Sequence, residues 1–236
     1  LAKTYLYQEN WNAAKNKCEE IMNSGNYSLV SDYSNIFSSS QQWGSEVIWS
    51  LHMVEDLDGH WGEHEGSWLS IWFGDRDMGW GYGFKCPTED FVQAFEPNDD
   101  RLEASVVFDG EMIPGTFGGA PHNFTGGSWN PPTGYMSQKY LIPDNERPIT
   151  ADCNGNLDYI FMRYAEVLLM HAEASMEIGD EAAARSSLAL IRQRAGLSDY
   201  PDATTINSYK EKSLLGHNDL KAVVYHERRV ELGLEH

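Results

Sequence analysis

Basic residues are scarce in this chain: Lys and Arg number 17 against 36 Asp and Glu, giving a formal charge of −19. Nucleic acid is a poor partner for such a surface, because binding phosphates requires positive charge that displaces counterions. An anionic glycan meets the same repulsion unless a local positive group offsets it. Cysteine is also rare. Cys18, Cys86 and Cys153 are odd in number and show no CxxC spacing, so neither a zinc site nor a disulfide framework is indicated, and at most one internal bridge can form. No run of about 18 apolar residues occurs, so no segment reads as a membrane-spanning helix. Leu1 falls inside a helical pattern, with no initiator Met, signal-like apolar region or lipidation cysteine ahead of it.

The chain does have enough apolar residues for a substantial core, 41% of 236. Its clearest helical pattern lies at residues 158–197. Ile160, Tyr164, Val167, Leu168 and Ala172 recur at three- and four-residue spacing, which predicts one buried helical face, with Asp158 as N-cap and Gly179 as a left-handed C-cap. Ala182, Ala183 and Ala184 open a second helix that ends near Gly196, its small residues permitting close approach to the first. Sliding the chain by 170 positions lays Ala2 on Ala172, Leu6 on Met176, Ala13 and Ala14 on Ala183 and Ala184, and Ile21 on Ile191. The repeat predicts two helix-turn-helix units of tetratricopeptide type, the first turning at residues 8–10 and stopping at Gly25. Such units need stacked neighbours, so two copies far apart in sequence imply missing partners. Trp11, Ile21 and Tyr27 are expected in the seam.

The segments RYAEVLLMHAEA, GDEAAARSSLALIRQRAGL and the closing ERRVELGLEH resemble the C-terminal helical signatures of the SusD/RagB family of outer-membrane nutrient-binding lipoproteins. SEVIWS, the block GWGYGFKCPTEDFVQAFEPNDDRLEASV and GYMSQKYL follow in family order. The resemblance implies a mainly α fold: tetratricopeptide-like helical repeats of the SusD-like type carrying a large irregular insertion with short strands. Residues 1–40 would form the first helical pair, 41–150 an aromatic- and Gly-rich ligand-binding insertion, and 151–236 the C-terminal repeats. Family members are longer, so the chain is expected to be an internal portion. Its residues 227–236 read as a helix broken off at the end, where Leu-Glu-His suits native sequence or the start of a tag.

The resemblance further implies a non-enzymatic, cell-surface binder of oligosaccharide or polysaccharide. It would be held at the outer membrane by an N-terminal lipid and would deliver its ligand to a TonB-dependent SusC-like transporter. No cofactor or metal is expected.

Seven of the eight tryptophans fall between Trp43 and Trp129, with most of the glycines and little helical period except near residues 88–95. Residues 46–51, EVIWSL, predict a short strand. Trp61, Trp68 and Trp72 are interleaved with His64, Asp75 and Arg76. Flat apolar rings beside planar polar groups suit a sugar, which presents C–H bonds on one side and hydroxyls at its rim. These six residues are the candidate glycan contacts, with Trp129 in a Gly- and Pro-rich loop as a further one. The alternative is that the rings form the insertion's own core, and for Trp80 and Tyr82 that reading leads.

Other motifs carry less. His60-Trp61-Gly62-Glu63-His64 has the HxxEH spacing of inverted zinc proteases, but the glycines around it disfavour the helix that chemistry requires. Residues 152–158 resemble a calcium loop but lack its glycine and closing glutamate, and an Asx-rich turn capping the next helix explains them better. Glu89, Asp90, Glu96, Asp99 and Asp100 could contain a glycosidase pair, although Arg101 is expected to engage one of them. Arg163, Glu166, Glu173, Arg192, Glu227, Arg228 and Glu231 are expected to form ion pairs bracing the helices. Residues 198–217 read as a polar connector. Two rival functions remain: a tetratricopeptide protein-binding scaffold if the aromatics are buried and a helical groove is open, and a hydrolase if a metal or paired carboxylates occupy a cleft.

Overall fold

The computed structural model describes residues 1–54, 66–74, 76, 81–113, 122–125, 132–142 and 155–235. Helices α1 (Ala2–Tyr7) and α2 (Trp11–Asn23) precede strand β1 (Val47–Leu51). The middle holds α3 (Leu69–Phe73), α4 (Glu89–Val92), α5 (Arg101–Ser105) and the short strands β2 (Val106–Val107), β3 (Met112–Ile113), β4 (His122–Asn123) and β5 (Met136–Ser137). Strand β6 (Tyr159–Arg163) leads into α6 (Tyr164–Glu177) and α7 (Glu181–Arg194), followed by α8 (Ala203–Ser208), α9 (Lys210–Ser213) and α10 (Asp219–Leu232). Three antiparallel strand pairs form, β1 with β6, β2 with β5 and β3 with β4.

The repeat in the sequence is a repeat in space. Asn10 caps α2 by accepting from the Ala13 amide, and 170 positions later Asp180 caps α7 by accepting from the Ala183 amide. Both turns pass through the left-handed region, at Gly179 (φ 83°) and at its counterpart Glu9 (φ 55°). The glutamate accepts a strain of about 1–2 kcal/mol that glycine avoids. The two hairpins, far apart in sequence, stack on each other. Ala14 and Cys18 of α2 join one core with α6 residues such as Leu168 and Ala172, and Trp11, Ile21 and Tyr27 pack at its margin. Helix α6 is buried continuously from Tyr164 to Ser175, so it lacks a solvent face over three turns. Burial pushes the Cys18 thiol up to about 12, leaving it an apolar filler.

The start of α6 also differs from expectation. Residues 159–163, YIFMR, pair with β1 as a strand, and the helix begins at Tyr164. Ile160 and Tyr164 suit a helical face by spacing alone, but an aromatic and β-branched run beside a partner strand favours the extended form. Asp158 is therefore no helix cap. It accepts from the Met53 amide at 3.0 Å and the Ser50 hydroxyl at 3.2 Å, and lies 2.7 Å from His52 Nδ1. The polar connector contains α8 and α9; Tyr209 between them and Glu211 of α9 are buried against His226. Residues 227–236 are not helical to the end. Helix α10 stops at Leu232, and at Gly233 a Cβ would lie 2.3 Å from the Phe91 ring.

Past that glycine, Glu235 turns into the core and completes a buried ion network. Arg163 reaches Glu235 at 2.7 Å, Glu231 at 2.6 Å and Glu46 at 2.7 Å. Arg194 pairs with the same Glu46 and Glu231. Arg101 binds Asp99 at 2.7 Å and Glu227 at 2.8 Å, as expected for a partner acid, and Arg192 joins Glu227 to Glu96. Burial alone would raise the Glu231 carboxyl, yet the guanidinium groups of Arg194, Arg163 and Arg101 hold it well below the usual carboxylate range. Removing one member strands its partners without water. Arg163→Met should cost about 3–5 kcal/mol in urea-induced unfolding, whereas Lys17→Ala, which breaks the exposed pair with Glu20, should leave the midpoint unchanged.

Candidate functional site

Alternation along β1 sends Ser50 inward and leaves Trp49 and Leu51 on the outer face, Trp49 at 62% exposure. On the paired strand, Ile160 is buried while Tyr159 and Phe161 lie outward and half-buried. The ring of Trp49 stacks on Phe161 at 4.8 Å, and Phe161 meets Tyr159 edge-on at 4.9 Å. The strand pair thus presents a row of aromatic faces beside Leu51.

Helix α3 supplies the opposite wall. Leu69, Ile71 and Phe73 are buried, which turns Trp72 outward at 44% exposure. The following segment is fastened to this helix by backbone hydrogen bonds, Tyr82 amide to Ile71 carbonyl at 2.8 Å and Phe84 amide to Trp72 carbonyl at 2.7 Å. Those two bonds bring Phe84 beside Trp72. At the other end, the Ser67 amide donates to the Gly155 carbonyl at 2.7 Å, anchoring the chain just ahead of Trp68. Between the walls lies a cavity of about 530 Å³ bounded by Leu51, Trp68, Trp72, Phe84 and Tyr159. Its size falls within the usual range for small-molecule sites, roughly 300–1,000 Å³. Lys85 enters from the side with its Nζ 4.8 Å from the Phe73 ring centre and 5.8 Å from that of Tyr159.

A larger cavity of about 1000 Å³ opens between residues 32–40, 95–104 and 138–141. Its aromatic residues Phe37, Phe95 and Tyr140 are buried, and its acids Asp99 and Glu96 are committed to Arg101 and Arg192. Among the described residues it offers no exposed ring for stacking, so the smaller aromatic cavity is the better candidate.

Of the residues anticipated from sequence, Trp68 and Trp72 meet in this cavity, whereas Arg76 is exposed and does not line it. Trp61, His64, Asp75 and Trp129 lie outside the described residues, as do His60, Glu63 and Trp80. Tyr82, expected in the core, is instead exposed and stacks on Phe84 at 5.6 Å. The cavity also uses Leu51, Phe84, Lys85 and Tyr159, which sequence reasoning missed. Leu51 could have been found from the alternation of EVIWSL, which sends it to the same side as Trp49; Tyr159 was hidden by the helical reading of its segment.

Of the five acids considered for glycosidase chemistry, Glu89, Asp90, Glu96 and Asp99 are engaged elsewhere. Glu89 accepts from the Tyr135 hydroxyl and Gln93, and Asp90 pairs with Arg229 and Lys210. Among the described residues no group of three or more His, Cys, Asp or Glu side chains is arranged to hold a metal ion. The packing separates wall from platform in a testable way. Phe73→Ala should cost about 3–5 kcal/mol of stability. Trp72→Ala should leave the melting temperature within a few degrees of the parent, and equal losses for the two would mean that Trp72 is core.

Over 269 aligned residues the chain is 25% identical to the SusD-like protein P25 of Formosa agariphila, covering 99% of this chain and 46% of that protein. Its fold superposes on the crystal structure of a SusD-like protein from Bacteroides fragilis with a TM-score of 0.75 at 22% identity, covering 99% of this chain and 50% of that one. Surface glycan-binding protein A from Bacteroides uniformis gives a TM-score of 0.68 at 23% identity, covering 98% and 47%. The chain therefore spans about half the length of these relatives. Residues 45–236 match the SusD family profile, and with the stacked helical hairpins and the strand-bearing middle segment this places the chain in the SusD family.

Proposed function

We propose that the protein is a surface glycan-binding protein that captures oligosaccharide without cleaving it and passes it to a TonB-dependent, SusC-like transporter in the outer membrane. The observation that carries this reading is the cavity in which Trp72, Trp68, Phe84 and Tyr159 face one another around an open space. Aromatic faces around such a cavity accept the C–H side of a pyranose ring, while the rim leaves its hydroxyls to polar groups and water. One relative of the same fold is described as a surface glycan-binding protein, which agrees in class.

In this reading residues 41–150 form the ligand-binding insertion, and Trp61, His64, Asp75, Arg76 and Trp129 supply further contacts around the same ligand. A tetratricopeptide scaffold has less support. Its groove would run over α6, and that helix is already enclosed by α2, α7 and α10. Binding without turnover is favoured because Glu89, Asp90, Glu96 and Asp99, among the described acids, serve as structural partners.

Two experiments test the proposal. Calorimetry with an oligosaccharide selected on a glycan array should give losses of about 1–3 kcal/mol for Trp68→Ala or Trp72→Ala, by analogy with base–aromatic stacking, and the sugar should be recovered intact. Unchanged affinity in both variants, or product formation that survives rigorous purification, would sink the reading. For the partner, affinity capture from native membranes should retain a large β-barrel; retention of soluble proteins alone would instead favour the scaffold.

A further inference from the structure

We propose that Lys85 is the ligand-selecting residue of the aromatic cavity and that the oligosaccharide bound there carries an acidic group, a carboxylate or a sulfate ester, which the Lys85 ammonium receives. The inference rests on the glycan-binding reading and adds the chemical class of the sugar. Lys85 is the charged residue among the described ones that line the cavity; the others are apolar or aromatic except for the backbone of Gly66 and the polar tips of Trp68 and Tyr159.

The ammonium is held in place by ring faces and not by a carboxylate of the described residues. Two ring faces, Phe73 and Tyr159, fix its position, and its described hydrogen bond goes to the Glu235 carbonyl at 3.4 Å. An ammonium has three donors, so this leaves others for a ligand. Among the described residues no carboxylate forms an ion pair with Lys85. The Glu235 carboxylate, which is the acid nearest in sequence to that carbonyl, is taken by Arg163 and Lys139. Burial accordingly lowers the Lys85 pKa, with Glu235 opposing the shift only through space.

An anion entering the cavity would engage that partly desolvated charge through a charge-assisted hydrogen bond. The backbone agrees with a purpose for the side chain. Lys85 has φ 53°, a left-handed conformation that glycine adopts without strain, and such outliers are frequent at ligand sites as well as at turns. The surrounding protein makes the point sharper. With a formal charge of −19, it repels acidic sugars everywhere that a cation is not displayed. Arg101, Arg163, Arg192, Arg194 and Lys139 are all sealed in the buried network. Lys85 is positioned to admit an acidic sugar within the cavity.

The test uses the full-length protein and three forms of one oligosaccharide backbone: neutral, oxidised to the carboxylate at the primary hydroxyl, and sulfated at that hydroxyl. At low salt one or both acidic forms should bind roughly tenfold or more tightly than the neutral form, the stronger of the two identifying the acid. Lys85→Gln should abolish the preference between the acidic and neutral forms, and Lys85→Arg should restore it. Equal or tighter binding of the neutral form by the parent protein, or a preference that survives in Lys85→Gln, overturns the inference. Trp72→Ala reports separately on the cavity: it should weaken all three forms alike. If it weakens none, the glycan site itself is misplaced and the assignment of Lys85 falls with it.

Discussion

A guanidinium buried with three carboxylates fixes this molecule. Arg163, at the last residue of β6, joins Glu46 just ahead of β1, Glu231 in α10 and Glu235 beyond the helix end. Buried charges cannot be left unpaired without a cost of several kcal/mol per partner. Three segments distant in sequence therefore have one arrangement in which all are satisfied. Arg194 and Tyr33 extend the constraint, the first by sharing Glu46 and Glu231, the second by donating its hydroxyl to the Glu231 carbonyl at 2.8 Å. The hydrophobic stack of α2, α6 and α7 provides bulk stability; the ion network decides how the strand pair and the chain end sit on it.

The network and the aromatic cavity meet at one residue. The Glu235 carboxylate faces inward to Arg163 and Lys139, while its carbonyl faces outward and accepts from the Tyr159 hydroxyl at 3.0 Å and from Lys85. Tyr159 and Lys85 both line the cavity, so the site's floor is tied to the most constrained part of the interior. A site held this way loses little freedom on binding, which favours affinity from a modest contact area. The opposite wall has its own fastening, the backbone bonds from Tyr82 and Phe84 to α3.

Much of the scaffold was legible in the sequence because helix-turn-helix units write themselves in a 3.6-residue period with caps at fixed offsets. Asn10 and Asp180 stand 170 residues apart and do the same work. The partner of each hairpin was not legible, since stacking between residues 2–23 and 164–194 leaves no local mark. The strand at Tyr159–Arg163 was misread because a five-residue element next to a strong helix borrows the helix's period. For the site, the aromatic richness of the middle segment pointed to Trp68 and Trp72. Phe84, Tyr159 and Lys85 were invisible because their proximity arises from strand pairing and from the left turn at Lys85. Ion pairing of Arg101, Arg163 and Glu231 was anticipated, but Glu46 and Glu235 were not, as nothing in their neighbours marks them as buried.

The central claim is spatial: an oligosaccharide lies in the space between Trp72 and Tyr159. The most direct measurement is a crystal structure of the full-length protein with the best-binding oligosaccharide. The account predicts a pyranose ring stacked on the exposed face of Trp72, within contact of Phe84 or Tyr159. A sugar bound on another face of the molecule, with this cavity empty, would contradict it.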